Sequence, residues 1–209
     1  MKKKLLICLL TFWLVLVWSM VIAEDDFYVI STKKNNYAPV PKTGQTMSYA
    51  IGDDGELEKG VTSPNPRFTD IGNGTVKDNL TGLIWLKNAN CSDATKSWFD
   101  ALTYCNTLNS SECGLTDDSV EGDWRLPNVK ELQSLIHYGF DSPALPNTAG
   151  TGQWTPGDPF TNVQSSYYWS ATTHVHGTNN AWYVYMSDGL VVYRVKINGN
   201  YVWPVRAGQ

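Results

Sequence analysis

His174 and His176 stand two residues apart, so an extended backbone puts both imidazoles on one side of a strand. That spacing suits a metal pair, but no acid or third histidine follows closely, and Gly177, Thr178, Asn179 and Asn180 read as a loop. The expectation is a polar ligand-binding loop without a metal. Downstream, Trp182, Tyr183 and Tyr185 alternate along one predicted strand, and Tyr193, Arg194 and Lys196 belong to the next. One face of such a pair must be core, so half of these aromatic rings are packing. The exposed ones can stack on sugar faces, with asparagine and arginine supplying hydrogen bonds. The candidate ligand-binding residues are His174, His176, Asn180, Trp182, Tyr193, Arg194 and Lys196.

Other reactive groups give weaker patterns. Cys91, Cys105 and Cys113 lie close together without a neighbouring histidine, which fits neither a zinc spacing nor a catalytic thiol. In an oxidising compartment two of the three pair and one is left over, and the sequence leaves the pairing open. Asp70, Asn73 and Asp78 are oxygen donors in a glycine-rich stretch, yet an EF-type calcium loop needs donors on alternate residues and a bidentate acid at its twelfth position. Trp124 and Arg125 could grip an anion, but they adjoin a helix start and a bend at Pro127, which favours a structural role. Asp117, Asp118 and Glu121 read as a solvated acidic loop. No Ser-His-Asp order, phosphate loop or spaced carboxylate pair stands out, so no catalytic residue and no cofactor is expected.

These residues need elements to hold them. The chain has 209 residues, 42% hydrophobic and 17% charged, with nine Trp and eleven Tyr, which suits one globular domain plus extensions. Lys2, Lys3 and Lys4 precede an apolar run from Leu5 to Ile22, and Val21 and Ala23 give a small-residue exit before Glu24. Residues 1–23 are read as a signal peptide, with an uncleaved membrane anchor as the rival. Membrane contact is expected only in that second case, and both cases export the rest of the chain. Removing residues 1–23 takes three lysines and no acids, so the formal balance moves from −4 to −7, a poor match to nucleic acid. Residues 24–63, with Pro39, Pro41, Gly44, Gly52 and Gly55, read as a linker or loosely packed arm. A boundary falls at Ser63-Pro64-Asn65-Pro66, and the domain runs over 64–207.

From Arg67 three short runs separated by Gly/Asn turns predict a β-meander. Ser97 caps a helix with Trp98, Ala101, Leu102, Cys105 and Leu108 on one face, so a disulfide from Cys105 would tie it to a flanking loop. Asn128 and Glu131 form a capping box for a second helix over 129–138, with Gly139 as its stop. A loop of roughly 28 residues follows, long enough to be functional or mobile. Four runs then complete the chain: 167–172, 181–186, 191–196 and 201–205. The pairs Asp188-Gly189 and Asn198-Gly199 predict consecutive antiparallel hairpins.

Five blocks of this sequence resemble a known family. RFTDIGNGTVKDNLTGLIWLKNANC, WFDALTYCNTL, GDWRLPNVKELQSLI, SSYYWSATT and the closing VWPVR are similar, in this order, to the bacterial DUF1566 domain. That domain is also called the Lcl C-terminal domain, after a collagen-like adhesin of Legionella. The resemblance runs from about Pro64 to Arg206 and implies an α+β, C-type-lectin-like fold, related in shape to formylglycine-generating enzymes. It also implies binding surfaces on the terminal sheet and its loops. In the adhesin the domain is associated with trimers and sulfated polysaccharides. This chain has no Gly-X-Y stalk, and its acidic balance speaks against sulfated polymers. The expected function is an exported, non-catalytic module that binds a glycan or surface polymer. The alternatives are a protein-interaction or envelope-structural domain and, further off, an enzyme of the formylglycine-generating type.

Overall fold

The computed structural model describes residues 40–208; the predicted signal peptide lies outside them, as does the first part of the predicted arm. Among the described residues no helix is long and apolar enough to cross a membrane. The described residues are α+β, with few short helices and two small antiparallel sheets.

The predicted meander is present as β1 (Phe68–Asp70), β2 (Thr75–Asp78) and β3 (Ile84–Leu86). Gly74 in the first turn has a positive φ and lies against the Gly114 carbonyl, where any Cβ would collide. The second sheet contains β4 (Tyr167–Thr173), β5 (Asn180–Tyr185) and β6 (Val191–Val195), in the order β4-β5-β6. Its second hairpin closes at Gly189, whose amide donates to the Tyr185 carbonyl while the Tyr185 amide donates to Leu190.

The last predicted hairpin does not form. After β6 the chain does not fold back on that strand but crosses to the other edge of the sheet, where Tyr201 bridges β4 in parallel at Tyr168. β7 (Val205–Arg206) then pairs with β3 to give the first sheet the order β1-β2-β3-β7. Burial overrides the Asn-Gly turn signal: Val202, Trp203 and Val205 are fully enclosed, and Trp203 Nε1 donates to the Leu86 carbonyl. The far end of the domain is thereby fastened to its beginning.

α1 (Asp54–Leu57) is one turn capped by Asp53. α2 (Trp98–Thr107) begins at Ser97, whose hydroxyl accepts from the Asp100 amide, and buries Ala101 and Cys105. α3 (Val129–Gln133) carries the predicted capping box in full, but it ends five residues short of the expected last helical residue, Tyr138. The Leu135 and Ile136 amides bond three residues back, to Leu132 and Gln133, and the His137 amide turns to the Ala144 carbonyl. The tighter turn is not what the helical periodicity predicts, but Leu135 and Ile136 are buried beside Leu132 as that periodicity requires.

Two clusters form the interior. The larger holds Trp85, Trp124, Trp203, Phe68, Phe160 and Tyr168, with Phe160 seated edge-on between Phe68 (5.0 Å) and Trp203 (4.9 Å). The smaller lies between α2 and the second sheet and holds Ala101, Cys105, Leu126, Trp169, Ala181 and Val202. The long loop after α3 is held by its own apolar residues: Pro143, Ala144, Leu145, Pro146 and Phe160 are all buried.

The disulfide joins Cys91 to Cys113 and leaves Cys105 free and buried, so the bond links the loops on either side of α2 rather than the helix itself. Asp117 also departs from expectation. Its side chain is fully buried, with Oδ2 2.9 Å from Arg206 Nη2, an ion pair without an aligned hydrogen bond.

Candidate functional site

The second sheet is covered on both faces at one end and open at the other. Side chains alternate along its strands. Tyr168 and Val184 enter the larger core on one face, and Trp169, Ala181 and Tyr183 meet α2 on the other. A register shift between Trp169 and Thr173 loosens β4 before the β4–β5 loop. That loop is held by three backbone bonds: the His174 amide to Asn180, the Gly177 amide to His174 and the Asn180 amide to Gly177.

These constraints assemble an aromatic cluster at the open end of the first face. Trp182 and Tyr193 are cross-strand partners with ring centres 5.7 Å apart, nearly perpendicular. His174 comes from the loop side, stacks on Tyr193 at 4.1 Å and meets Trp182 edge-on at 5.3 Å. Tyr193 remains 47% exposed, so its ring faces solvent as well as its neighbours. His174 Nδ1 is buried without a hydrogen-bond partner among the described residues. His176 sits at the exposed loop tip, 6.1 Å from His174 between ring centres, and Asn180 shares the strand parity of Trp182. Among the described residues no three His, Cys, Asp or Glu side chains gather closely enough to hold a metal ion.

Arg194 and Lys196 go elsewhere. Both have the opposite parity from Tyr193 and face the α2 side. Arg194 Nη1 donates to Asn200 Oδ1 at 3.0 Å, and its guanidinium carbon lies 5.7 Å from the Tyr167 ring centre. Tyr167, Tyr183 and Tyr185 continue this second row, with Tyr167 5.1 Å and 4.6 Å from the other two. Burial and the adjoining Tyr167 push the Tyr183 phenol pKa up, with Arg194 opposing them. Lys196 is only 7% exposed: its ammonium lies 3.8 Å over the Trp98 ring and donates to Thr173 Oγ1 at 2.8 Å. The seven predicted residues thus fall on two faces, five in or beside one cluster and two behind it. Sequence reading missed Tyr167 and Asn200, which hold Arg194; alternation along β6 alone parts Tyr193 from Arg194 and Lys196, and the register with β5 then sets Tyr193 beside Trp182.

Three clefts among the described residues lie away from both rows. One of about 290 Å³ is lined by Val40, Pro41, Lys130, Gln133, Ile136 and Tyr138, where residues 40–43 meet α3. It shares no residue with the aromatic cluster.

Fold and site together define an α+β domain, closed through its own last strand, that displays aromatic rings from a small terminal sheet. The chain belongs to the Lcl C-terminal domain family, whose model matches residues 74–206. No curated protein matches it.

Proposed function

We propose that this protein is an exported, non-catalytic recognition module that binds a glycan or other cell-surface polymer through the His174–Trp182–Tyr193 cluster. The observation that carries this reading is the half-exposed Tyr193 ring, fixed by a stacked imidazole and an edge-on indole. Rings held in this way offer an apolar face with a polar rim at small entropic cost, the surface on which a sugar ring can lie. A C-type-lectin-like architecture and export through residues 1–23 are parts of the same proposal. Against the formylglycine-generating alternative, which relies on paired cysteines to hold copper, Cys91 and Cys113 are bonded to each other. The remaining thiol, Cys105, is enclosed, and its burial pushes its pKa far above the ordinary thiol range.

The test is a glycan array with the full chain and two variants. Trp182→Ala should lower affinity about 30-fold, the loss of roughly 2 kcal/mol expected of a central aromatic anchor. Arg194→Ala, on the opposite face, should bind as the parent does. A folded chain that binds no glycan would overturn the reading, and capture of an envelope protein through the same cluster would favour the protein-interaction alternative.

A further inference from the structure

β6 is an edge of its sheet, and among the described residues β5 is the one strand it pairs with. Its bonding parity follows from its ends: the Tyr185 amide donates to Leu190, and the Lys196 amide donates to Asn179. In an antiparallel ladder bonded and non-bonded pairs alternate, so Val192 and Arg194 also turn their N–H and C=O groups to β5. Val191, Tyr193 and Val195 turn theirs outward. Of these groups only the Val195 carbonyl has a partner among the described residues, the Asn198 amide. A carbonyl has a second lone pair to offer.

Open edges are usually blunted by proline, inward charge, a bulge or a covering segment. Val191-Val192-Tyr193-Arg194-Val195 contains no proline, and its one charge is drawn back to Asn200. The register of this strand with β5 is unbroken, and its flank carries exposed apolar side chains: Leu190 (51%), Tyr193 (47%), Val195 (38%) and Ile197 (78%).

We propose that β6 docks against β6 of a second copy of this chain, antiparallel across a two-fold axis at Tyr193. The strand is its own complement in that register. Tyr193 faces Tyr193 of the second copy, and Val191 faces Val195, each as a bonded pair using the outward groups. On one face the meeting side chains are tyrosine with tyrosine and valine with valine; on the other, Val192 meets Arg194. No like charges oppose each other. A two-residue slip toward the C-terminus would set Arg194 against Arg194, which is unfavourable, so the charge acts to select the register. An isologous contact of this kind closes on itself and merges two three-stranded sheets into one. It also brings the two His174–Trp182–Tyr193 clusters side by side on the same sheet face. If the proposed polymer binding holds, both clusters can engage one chain and gain avidity; the pairing itself does not depend on that reading.

Sedimentation velocity of the full chain in mild detergent, over a concentration series, tests the contact. The expected result is a monomer–dimer equilibrium. Val195→Pro removes an outward N–H without touching the β5 ladder and should leave a monomer with an unchanged circular dichroism spectrum. Tyr193→Lys sets like charges opposite each other at the axis and should weaken self-association at least about tenfold. Mixing the Tyr193→Lys and Tyr193→Glu chains should restore a heterodimer. A parent that stays monomeric up to about 100 µM, a concentration covering transient interfaces, overturns the proposal. So does a dimer indifferent to Val195→Pro, or a charge-swapped mixture that fails to associate. Glycan binding by a monomeric parent would overturn the pairing and leave the proposed function standing.

Discussion

Asp78 illustrates how an oxygen-rich stretch can serve folding rather than a cation. Its two carboxylate oxygens receive Arg67 Nε at 2.7 Å and Nη2 at 2.9 Å, together with the Leu80 amide and the Thr81 hydroxyl. The same guanidinium donates to the Ser134 carbonyl, so one buried pair joins the meander to the turn after α3. Both side chains are almost completely enclosed. Breaking such a pair leaves an uncompensated charge in the interior, and Asp78→Ala should cost about 3–5 kcal/mol. The double change Arg67→Met with Asp78→Leu should cost much less than the sum of the single changes, measured by urea unfolding. Additivity would show that the two charges act independently. Asp70 and Asn73, the other donors of this stretch, are also engaged: Asp70 accepts from the Gly72 amide and pairs with Lys87, and Asn73 accepts from the Thr75 hydroxyl. Residue types announced these donors in the sequence; their partners lie 11 to 17 positions away for Arg67 and Lys87, beyond the reach of local pattern.

At the scale of elements, local signals were legible where local forces decide. The Ser97 cap and the Asn128–Glu131 capping box form as read, because each needs only residues three positions apart. Arg125 extends the second of these: both terminal nitrogens donate to Glu131 at 2.7 Å, so the Trp-Arg-Leu-Pro corner and the start of α3 lock together. The length of α3 and the destination of β7 were not legible, since burial of Leu135, Ile136 and Trp203 settles them. The candidate site divides in the same way: its residue types were visible, but the assignment of Arg194 and Lys196 to the far face needed the strand register. The cysteine pairing lay open for a related reason, as three thiols near one helix admit every pairing. The observed bond closes a loop of sequence separation 22 around α2. Restricting the unfolded chain over that length contributes about 3 kcal/mol. Cys91→Ser with Cys113→Ser should therefore lower stability by roughly that amount and start its unfolding around α2, seen as faster amide exchange over 98–107. Uniform exchange across the domain would refute a local role for the bond.

At the scale of the molecule, residues 40–63, read from sequence as an arm, contact the domain at definite points. The Tyr138 amide donates to the Thr43 carbonyl at 2.8 Å, and Gly44 rests against the His137 ring, where a Cβ would collide. His137 also stacks on Phe140 at 4.2 Å. One half-buried imidazole therefore touches both the segment around Gly44 and the turn that follows α3. Burial lowers its pKa, and the nearby Arg67 charge acts in the same direction. A folded pKa below the ordinary 6.5 means that the unfolded chain takes up the proton first. Stability is then greatest above about pH 6.5 and falls as the pH drops through that value toward the lower folded pKa. Ordinary carboxylates stay ionised over most of this window, so the slope reports mainly on histidine. Thermal unfolding followed from pH 7.5 to pH 5.5 should show a falling midpoint, and His137→Gln should flatten the slope. Amide exchange at the lower pH, corrected for its intrinsic rate, should rise first at residues 43–44 and 137–139. A variant that keeps the full slope, or a parent whose midpoint rises on acidification, would remove His137 as the group that couples this segment to the core.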